Sequence, residues 1–267
     1  MKKFFYYRKE NKMHEILVYL SIIHKGDWNK IYDTILNKEP INKEDVLKVT
    51  NHLNCKYITI LDPSYPLCLK SIYKPPFVLF YKGDISLLTD NYLRIAMIGS
   101  RLNSEYGKNI TECICKDLIK SERNCVIVSG LAKGIDSIAH SCCLNNSGKT
   151  IAVLGNGLDI IYPKENKNLY SRIMEKGLII SEYPPGTMPS KDNFPIRNRI
   201  IAGISNCISV MEAKEKSGTM NTVSHALEDG KQIFCVPDKC NTFSGCNKLI
   251  KEGAKLIENA KDILEEL

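Results

Sequence analysis

From Leu93 onward the chain repeats one unit six times: a short apolar run, a small or turn residue, then a segment of helical periodicity. The runs are Ile95-Ala96-Met97-Ile98, Val126-Ile127-Val128, Ile151-Ala152-Val153-Leu154, Ile179-Ile180, Ile208–Met211 and Ile233–Val236. None of them alternates polar with apolar residues. A strand without alternation is buried on both faces, as a parallel sheet covered by helices requires. The expected fold is α/β: a doubly wound, mostly parallel, Rossmann-like sheet with a small helical N-terminal region. Right-handed crossovers then bring every strand-to-helix turn to one edge of that sheet, where ligands bind.

Upstream the pattern differs. Residues 1–54 are polar and helix-like, with Ile16, Leu17, Leu20 and Ile23 at helical spacing and Gly26-Asp27 as a break, so two or three short helices are expected there. Residues 55–92 read as a preceding segment: a strand at Tyr57–Ile60, a turn at Asp62-Pro63-Ser64-Tyr65-Pro66, and a second strand at Phe77–Tyr81 after Pro75-Pro76. Residues 93–267 form the core, and 55–267 together make the main domain.

Charge and cysteine usage narrow the function classes. Lys+Arg 37 against Asp+Glu 30 gives a net charge of +7, which permits a polyanionic partner without requiring one. Eleven cysteines are present, but no Cys-x2-Cys pair occurs; Cys125, Cys207 and Cys235 sit beside Val, Ile and Phe as small buried hydrophobes of a reducing compartment. Metal, cofactor and disulfide chemistry are therefore not expected. Apolar stretches such as Ile16–Leu20 and Phe77–Tyr81 are far shorter than the roughly 20 residues of a membrane span. A soluble, cytoplasmic protein with no membrane partner is expected.

The turns carry the chemistry. They hold Gly99-Ser100-Arg101, Ser129-Gly130 with Lys133-Gly134-Ile135-Asp136, Gly155-Asn156-Gly157, Pro184-Pro185-Gly186 and Ser217-Gly218-Thr219. Glycine lets backbone approach a ligand, and helix N-termini present unpaired N–H groups, which suits phosphate. Any doubly wound sheet has such glycines for steric reasons, so the cations beside them are more informative. Arg101, Lys133 and Lys164 follow three turns, and Lys191, Phe194, Arg197, Asn198 and Arg199 follow a fourth. Arginine forks grip phosphate oxygens and an aromatic ring can stack on a base. These side chains are expected to converge on one sheet edge and to need an anion there.

Several motifs are decoys. Gly148-Lys149-Thr150 lacks the earlier glycine of a phosphate loop and precedes a strand; Gly155-Asn156-Gly157 has Ile160 where a dinucleotide fingerprint needs its third glycine. No Gly-x-Ser-x-Gly or His-Glu-x-x-His occurs. His140, four residues after Asp136, is either an acid/base partner or a packed core histidine, and Glu212 is either a carboxylate at the ligand edge or a charge that orients the following Ser217-Gly218-Thr219 loop.

The segments IGSR (98–101), SGLAKGID (129–136), AVLGNGLDIIYPKEN (152–166), SEYPPGTMPSKDNFPIRNRIIAGIS (181–205), EAKEKSGTMNT (212–222) and LIKEGA (249–254) resemble, in order and spacing, the DNA-processing protein A (DprA/Smf) family. DPSYP (62–66) and PPFVLFYKGD (75–84) look like the segment that precedes its core. The resemblance covers roughly residues 56–257 and implies a protein that binds single-stranded DNA with little sequence preference. It also implies a homodimer that interacts with the RecA recombinase and loads it on strands coated by single-strand-binding protein, in natural transformation or recombination. No catalytic residue is implied. Carried over by motif, the DNA pocket would use Arg101, Lys164, Lys191, Phe194, Arg197 and Arg199. Backbone of the turns at Gly99, Ser100, Gly130, Gly155, Asn156, Ser217, Gly218 and Thr219 would add to it. Two departures stand out: Asp238 replaces the glycine that often follows Val236-Pro237, and no C-terminal winged-helix domain is expected within residues 1–267. The competing reading is a nucleotide-processing enzyme of the lysine-decarboxylase-like phosphoribohydrolase type; Thr222 occupies the position where its motif carries a glutamate.

Overall fold

A computed structural model describes the backbone of residues 2–240 and 242–267 and the side chains of residues 12–240 and 242–267. Nine strands form one sheet: β1 (Lys56–Thr59), β2 (Val78–Gly83), β3 (Leu93–Gly99), β4 (Cys125–Ser129), β5 (Lys149–Leu154), β6 (Leu178–Ser181), β7 (Cys207–Glu212), β8 (Gln232–Cys235) and β9 (Lys255–Leu256). Their order is β1-β2-β6-β5-β4-β3-β7-β8-β9. Every neighbouring pair from β6 to β9 is parallel, while β2 runs antiparallel to both β1 and β6. Residues 55–92 thus extend the sheet along one edge. The chain steps outward from β3 through β6 in one direction and then from β7 through β9 in the other. That reversal leaves a crevice between the carboxyl ends of β3 and β7, the usual ligand position in such sheets.

Strand periodicity divides the core into two layers. Ile95, Met97, Cys125 and Ile127 point to the face covered by α5 (Glu105–Ser121) and α6 (Ile135–Asn145). Their neighbours Ala96, Ile98, Val126 and Val128 point to the opposite face, under α8 (Asn193–Ile204), α9 (Gly218–Glu228) and α10 (Gly245–Lys251). Burying each such aliphatic side chain contributes about 1.5–3 kcal/mol. The free cysteines Cys115, Cys125, Cys142, Cys143, Cys207, Cys235 and Cys246 are buried, as the apolar context of three of them implied. Burial pushes the Cys207 thiol up to about 12, which keeps it protonated and inert.

The N-terminal helices are α1 (Lys2–Ile23), α2 (Trp28–Leu36) and α3 (Lys43–Asn51); α1 is longer than the short helix expected. Gly26 ends the connection at φ +75°, and the Asp27 carboxylate then caps α2 by accepting from the Asn29 and Lys30 amides. Leu17 and Val18 share one apolar cluster with Val78, Phe80 and Leu154, and His14 meets Thr59 Oγ1 at 2.8 Å. This region closes over the β1–β2 edge and shares its core. Strand β9, which sequence reading did not anticipate, is two exposed residues and carries no apolar run to reveal it.

His140 proves to be a packed residue. Its Nδ1 lies 2.6 Å from Thr150 Oγ1, whose own hydroxyl donates to Ile127 O, so Nδ1 carries the proton. Asp136 points elsewhere, accepting from the Gly130 and Ala132 amides. Complete burial, and then the positive charge of Arg197, lower the imidazole from its ordinary 6.5 to about 3. Between these values the unfolded chain takes up a proton that the folded chain refuses. Stability is therefore full above pH 6.5 and falls on acidification, by up to about 1.4 kcal/mol per pH unit from this one group. Urea denaturation between about pH 6.5 and 5 should show a shallower loss for His140→Gln than for the parent.

Candidate nucleic-acid interface

The turns after β3, β4 and β5 meet the first turn of α8 in a closed circuit of contacts. Gly134, at φ +75°, is forced by the close approach of the first two: a Cβ there would stand 2.2 Å from Ser100 O. The Ile135 amide donates to that same oxygen at 3.1 Å. Next to Gly134, Lys133 pairs with Glu165 at 2.5 Å, and Asn166 donates to Leu131 O at 3.0 Å, tying the third turn to the second. The third turn also carries Tyr162, whose ring stacks on Phe194 at 5.6 Å with 26° between planes. Phe194 completes the circuit, since the Arg101 guanidinium lies 5.6 Å from its centroid. Gly155 seats that ring; a Cβ in its place would come within 2.8 Å of it.

On this rim Arg101, Lys133, Lys164 and Lys191 are exposed, and Phe194 is half-buried. Arg101, Lys164 and Lys191 form no ion pair among the described residues. Glu212, at the end of β7, does not point at a ligand. Its carboxylate accepts from the Ser104 amide and hydroxyl, and its carbonyl accepts from the Ser100 amide. It thus holds the loop that carries Arg101, the orienting role among the two open for it, though on the β3 turn and not on the Ser217 loop. Ser217 Oγ is buried without a partner among the described residues beside the start of α9, with Gly218 exposed and Thr219 buried behind it.

Three expected ligand groups face inward instead. Arg199 is 3% exposed and ion-paired with Glu182 at 2.6 Å, while also donating to Lys74 O and Ile196 O. Arg197 is 4% exposed; its Nη1 donates to Gly130 O at 2.9 Å and to Val153 O. Burial lowers it to about 10, offset by the facing Asp136, so it stays charged at neutral pH. Asn156 is 1% exposed and spends its amide on Gly157 O and Ile160 O. These correct the expectation that all the cations point outward: Arg199 and Asn156 are committed to internal acceptors, while Arg197 spends Nε and Nη1 internally and keeps Nη2 without a hydrogen-bond partner among the described residues. Asn198 is likewise engaged with Arg197 and Asn221. The turn amides are less bare than expected too: those of Ser100, Gly130 and Gly157 are bonded to Glu212 O, Asp136 and Thr187 O.

Sequence reading missed Tyr162, Glu165, Glu182 and Asp136 as parts of this assembly. Tyr162 was readable as an exposed aromatic beside Pro163-Lys164; the acids announce themselves only once folding shows which cation each faces.

The DNA recombination-mediator protein A family matches residues 56–267, all nine strands of the sheet and every residue of the rim. The chain belongs to that family. It is 47% identical over 210 residues to DNA processing protein DprA of Streptococcus pneumoniae, covering 78% of this chain and 73% of that one. It is 43% identical over 212 residues to DprA of Bacillus subtilis, covering 79% and 70%. The solved structure of the Streptococcus pneumoniae protein superposes with a TM-score of 0.79 at 41% identity, over 90% of this chain and 80% of that one. DNA processing protein A from Helicobacter pylori, described for its unique single-stranded DNA binding mode, gives 0.71 at 34% identity, over 80% and 96%. The Rossmann-like fold read from the apolar runs is thus the fold of the family.

The inward arginines make a distinction that denaturation can measure. Glu182→Ala strands a buried guanidinium and should cost about 3–5 kcal/mol in urea unfolding. Glu165→Ala opens only the exposed pair with Lys133 and should leave the urea midpoint close to that of the parent.

Proposed function

We propose that this chain binds single-stranded DNA along the rim formed by Arg101, Lys133, Tyr162, Lys164, Lys191 and Phe194, as a recombination mediator. The observation that carries the reading is the Tyr162–Phe194–Arg101 stack: two aromatic rings and a guanidinium in one column beside unpaired cations. Aromatic rings accept any base by its π-face and cations hold the phosphates, so such a surface favours unpaired strands and tolerates any sequence. Backbone at Gly99, Ser100 and the Ser217-Gly218-Thr219 turn borders the strand. Arg197, Arg199, Asn156 and Asn198 act behind it, as supports. The likeness to the Helicobacter pylori protein supports the ligand, and the family's description as a recombination mediator supports the process.

Within that process we assign the chain to loading RecA on single strands, with single-strand-binding protein displaced, in the cytoplasm and as a homodimer. A hydrolytic reading gains nothing from the site: Thr222, where the phosphoribohydrolase motif needs a glutamate, is buried on α9. Loading is tested by RecA strand exchange on strands coated with single-strand-binding protein. The chain should shorten the lag, and an unchanged lag would reject the assignment.

Binding is tested by anisotropy with oligothymidylate. Four exposed cations should give a slope of log affinity against log salt of about −3. Arg101→Ala should weaken binding by about 1–3 kcal/mol, and Phe194→Leu, which keeps the bulk over Gly155, by about 1–2 kcal/mol. Binding untouched by Arg101→Ala would remove the rim as the site.

A further inference from the structure

A cleft with a volume of about 900 Å³ lies not on the rim but beside it. Its walls come from the α1–α2 connection, the segment Tyr73-Lys74, residues between 183 and 199, and Asn221 and His225 of α9. The segment 192–196 is common to both places. Phe194 faces the rim while Asn193, Pro195 and Ile196 line the cleft, and exposed Lys191 stands at the crossing. Inside, Tyr73 is 66% exposed with its ring unpaired by any other aromatic among the described residues. Lys74 stands over it at 5.2 Å and over Trp28 at 5.5 Å, and its ammonium donates to Asn29 Oδ1 at 2.6 Å. Trp28 itself is held between Tyr32 and Phe77 and donates to Pro75 O at 2.8 Å, a rigid back wall. Lys25 lies exposed on the lip, and both it and Lys74 hold positive φ, at +53° and +52°. Of the two acids at the wall, Asp27 is committed to capping α2 and to Lys30 at 3.6 Å.

An exposed ring under a lysine, with a second lysine at the mouth, is the chemistry that takes a base and its phosphate. A volume near the upper end of ordinary ligand pockets accommodates more than one nucleotide. We propose that this cleft is a second subsite for the same single strand, with a base on Tyr73 and phosphates on Lys74 and Lys25, so that the N-terminal region takes part in binding. The inference rests on the rim being the first subsite. A strand leaving Phe194 passes Lys191 and enters the cleft without turning back. Two linked weak contacts then act as one stronger one, because the second forms at the high effective concentration set by the first.

The only tryptophan of the chain, Trp28, lies in this wall and reports on it. Full-length protein is titrated with oligothymidylates of about 6 and about 20 nucleotides, bracketing a single site and a longer path. The longer strand should quench Trp28 emission and the shorter one should bind with little quenching. Tyr73→Ser and Lys74→Gln should each weaken the longer strand about five- to tenfold and leave the shorter one unchanged. Unaltered affinity of both variants for the longer strand, or unchanged Trp28 emission, overturns the second subsite. Equal losses on both lengths overturn it as well, by placing the effect at the rim or in folding. Failure of the rim reads differently: Arg101→Ala would then bind the short strand as the parent does.

Discussion

A buried guanidinium organises this molecule. Arg197 leaves the first turns of α8, passes beneath Gly130 and donates to carbonyls at the ends of β4 and β5. Gly130 is glycine for this reason, since a Cβ would lie 2.5 Å from the Arg197 Nη2. Taking a cation out of water is costly unless every donor finds an acceptor. Here the Gly130 and Val153 carbonyls and the Asn198 side chain accept from Nη1 and Nε, and the facing Asp136 balances the charge. Asp136 in turn accepts from the Gly130 and Ala132 amides, so the same charge pair shapes the loop that leads to Lys133. Removing any member leaves another buried without a counterpart. That makes α8 and the ends of β4 and β5 one rigid unit.

Arg199, two residues on and so about half a turn around the helix, repeats the arrangement, fastening α8 to Glu182 at the end of β6 and to the carbonyl of Lys74. Two inward arginines separated by two residues place the intervening helix face, and with it Phe194, at a fixed height over Gly155. The exposed elements of the rim need such support. Arg101 and the lysines are long chains with much rotamer freedom to lose, and a ring held in place spares part of that loss when a base arrives.

How much of this was legible follows from what each residue shows before folding. The strands were readable because apolar runs without alternation have one common explanation, and their succession gave the doubly wound order through the handedness of crossovers. The edge where Arg101, Lys133, Lys164 and Phe194 meet was readable for the same topological reason. The fate of Arg197 and Arg199 was not. An arginine on a helix beside a ligand edge has the same letter whether it reaches out to phosphate or in to a carbonyl. The deciding partners, Gly130 O, Val153 O and Glu182, lie far away in sequence. Likewise nothing in Trp28 or Tyr73 announced a cleft, because its walls come from four separated segments that meet only after the N-terminal helices close over the sheet.

That closure links the two ends of the chain's organisation. Gly26 sits against Tyr183, with a Cβ there meeting its ring at 3.0 Å and the Glu182 carbonyl at 3.2 Å. The Tyr183 hydroxyl donates to Asn193 O at 3.4 Å, and Asn193 donates to Gly155 O at 3.1 Å. A continuous set of contacts therefore runs from the α1–α2 connection, through the residues that hold Arg199, to the floor beneath Phe194. A displacement of the N-terminal helices would be felt at Tyr183 and Asn193 before it reached the rim. The segment 182–196 is thus both the wall of the cleft and the seat of the aromatic column, and the two surfaces keep a fixed spacing because they share it.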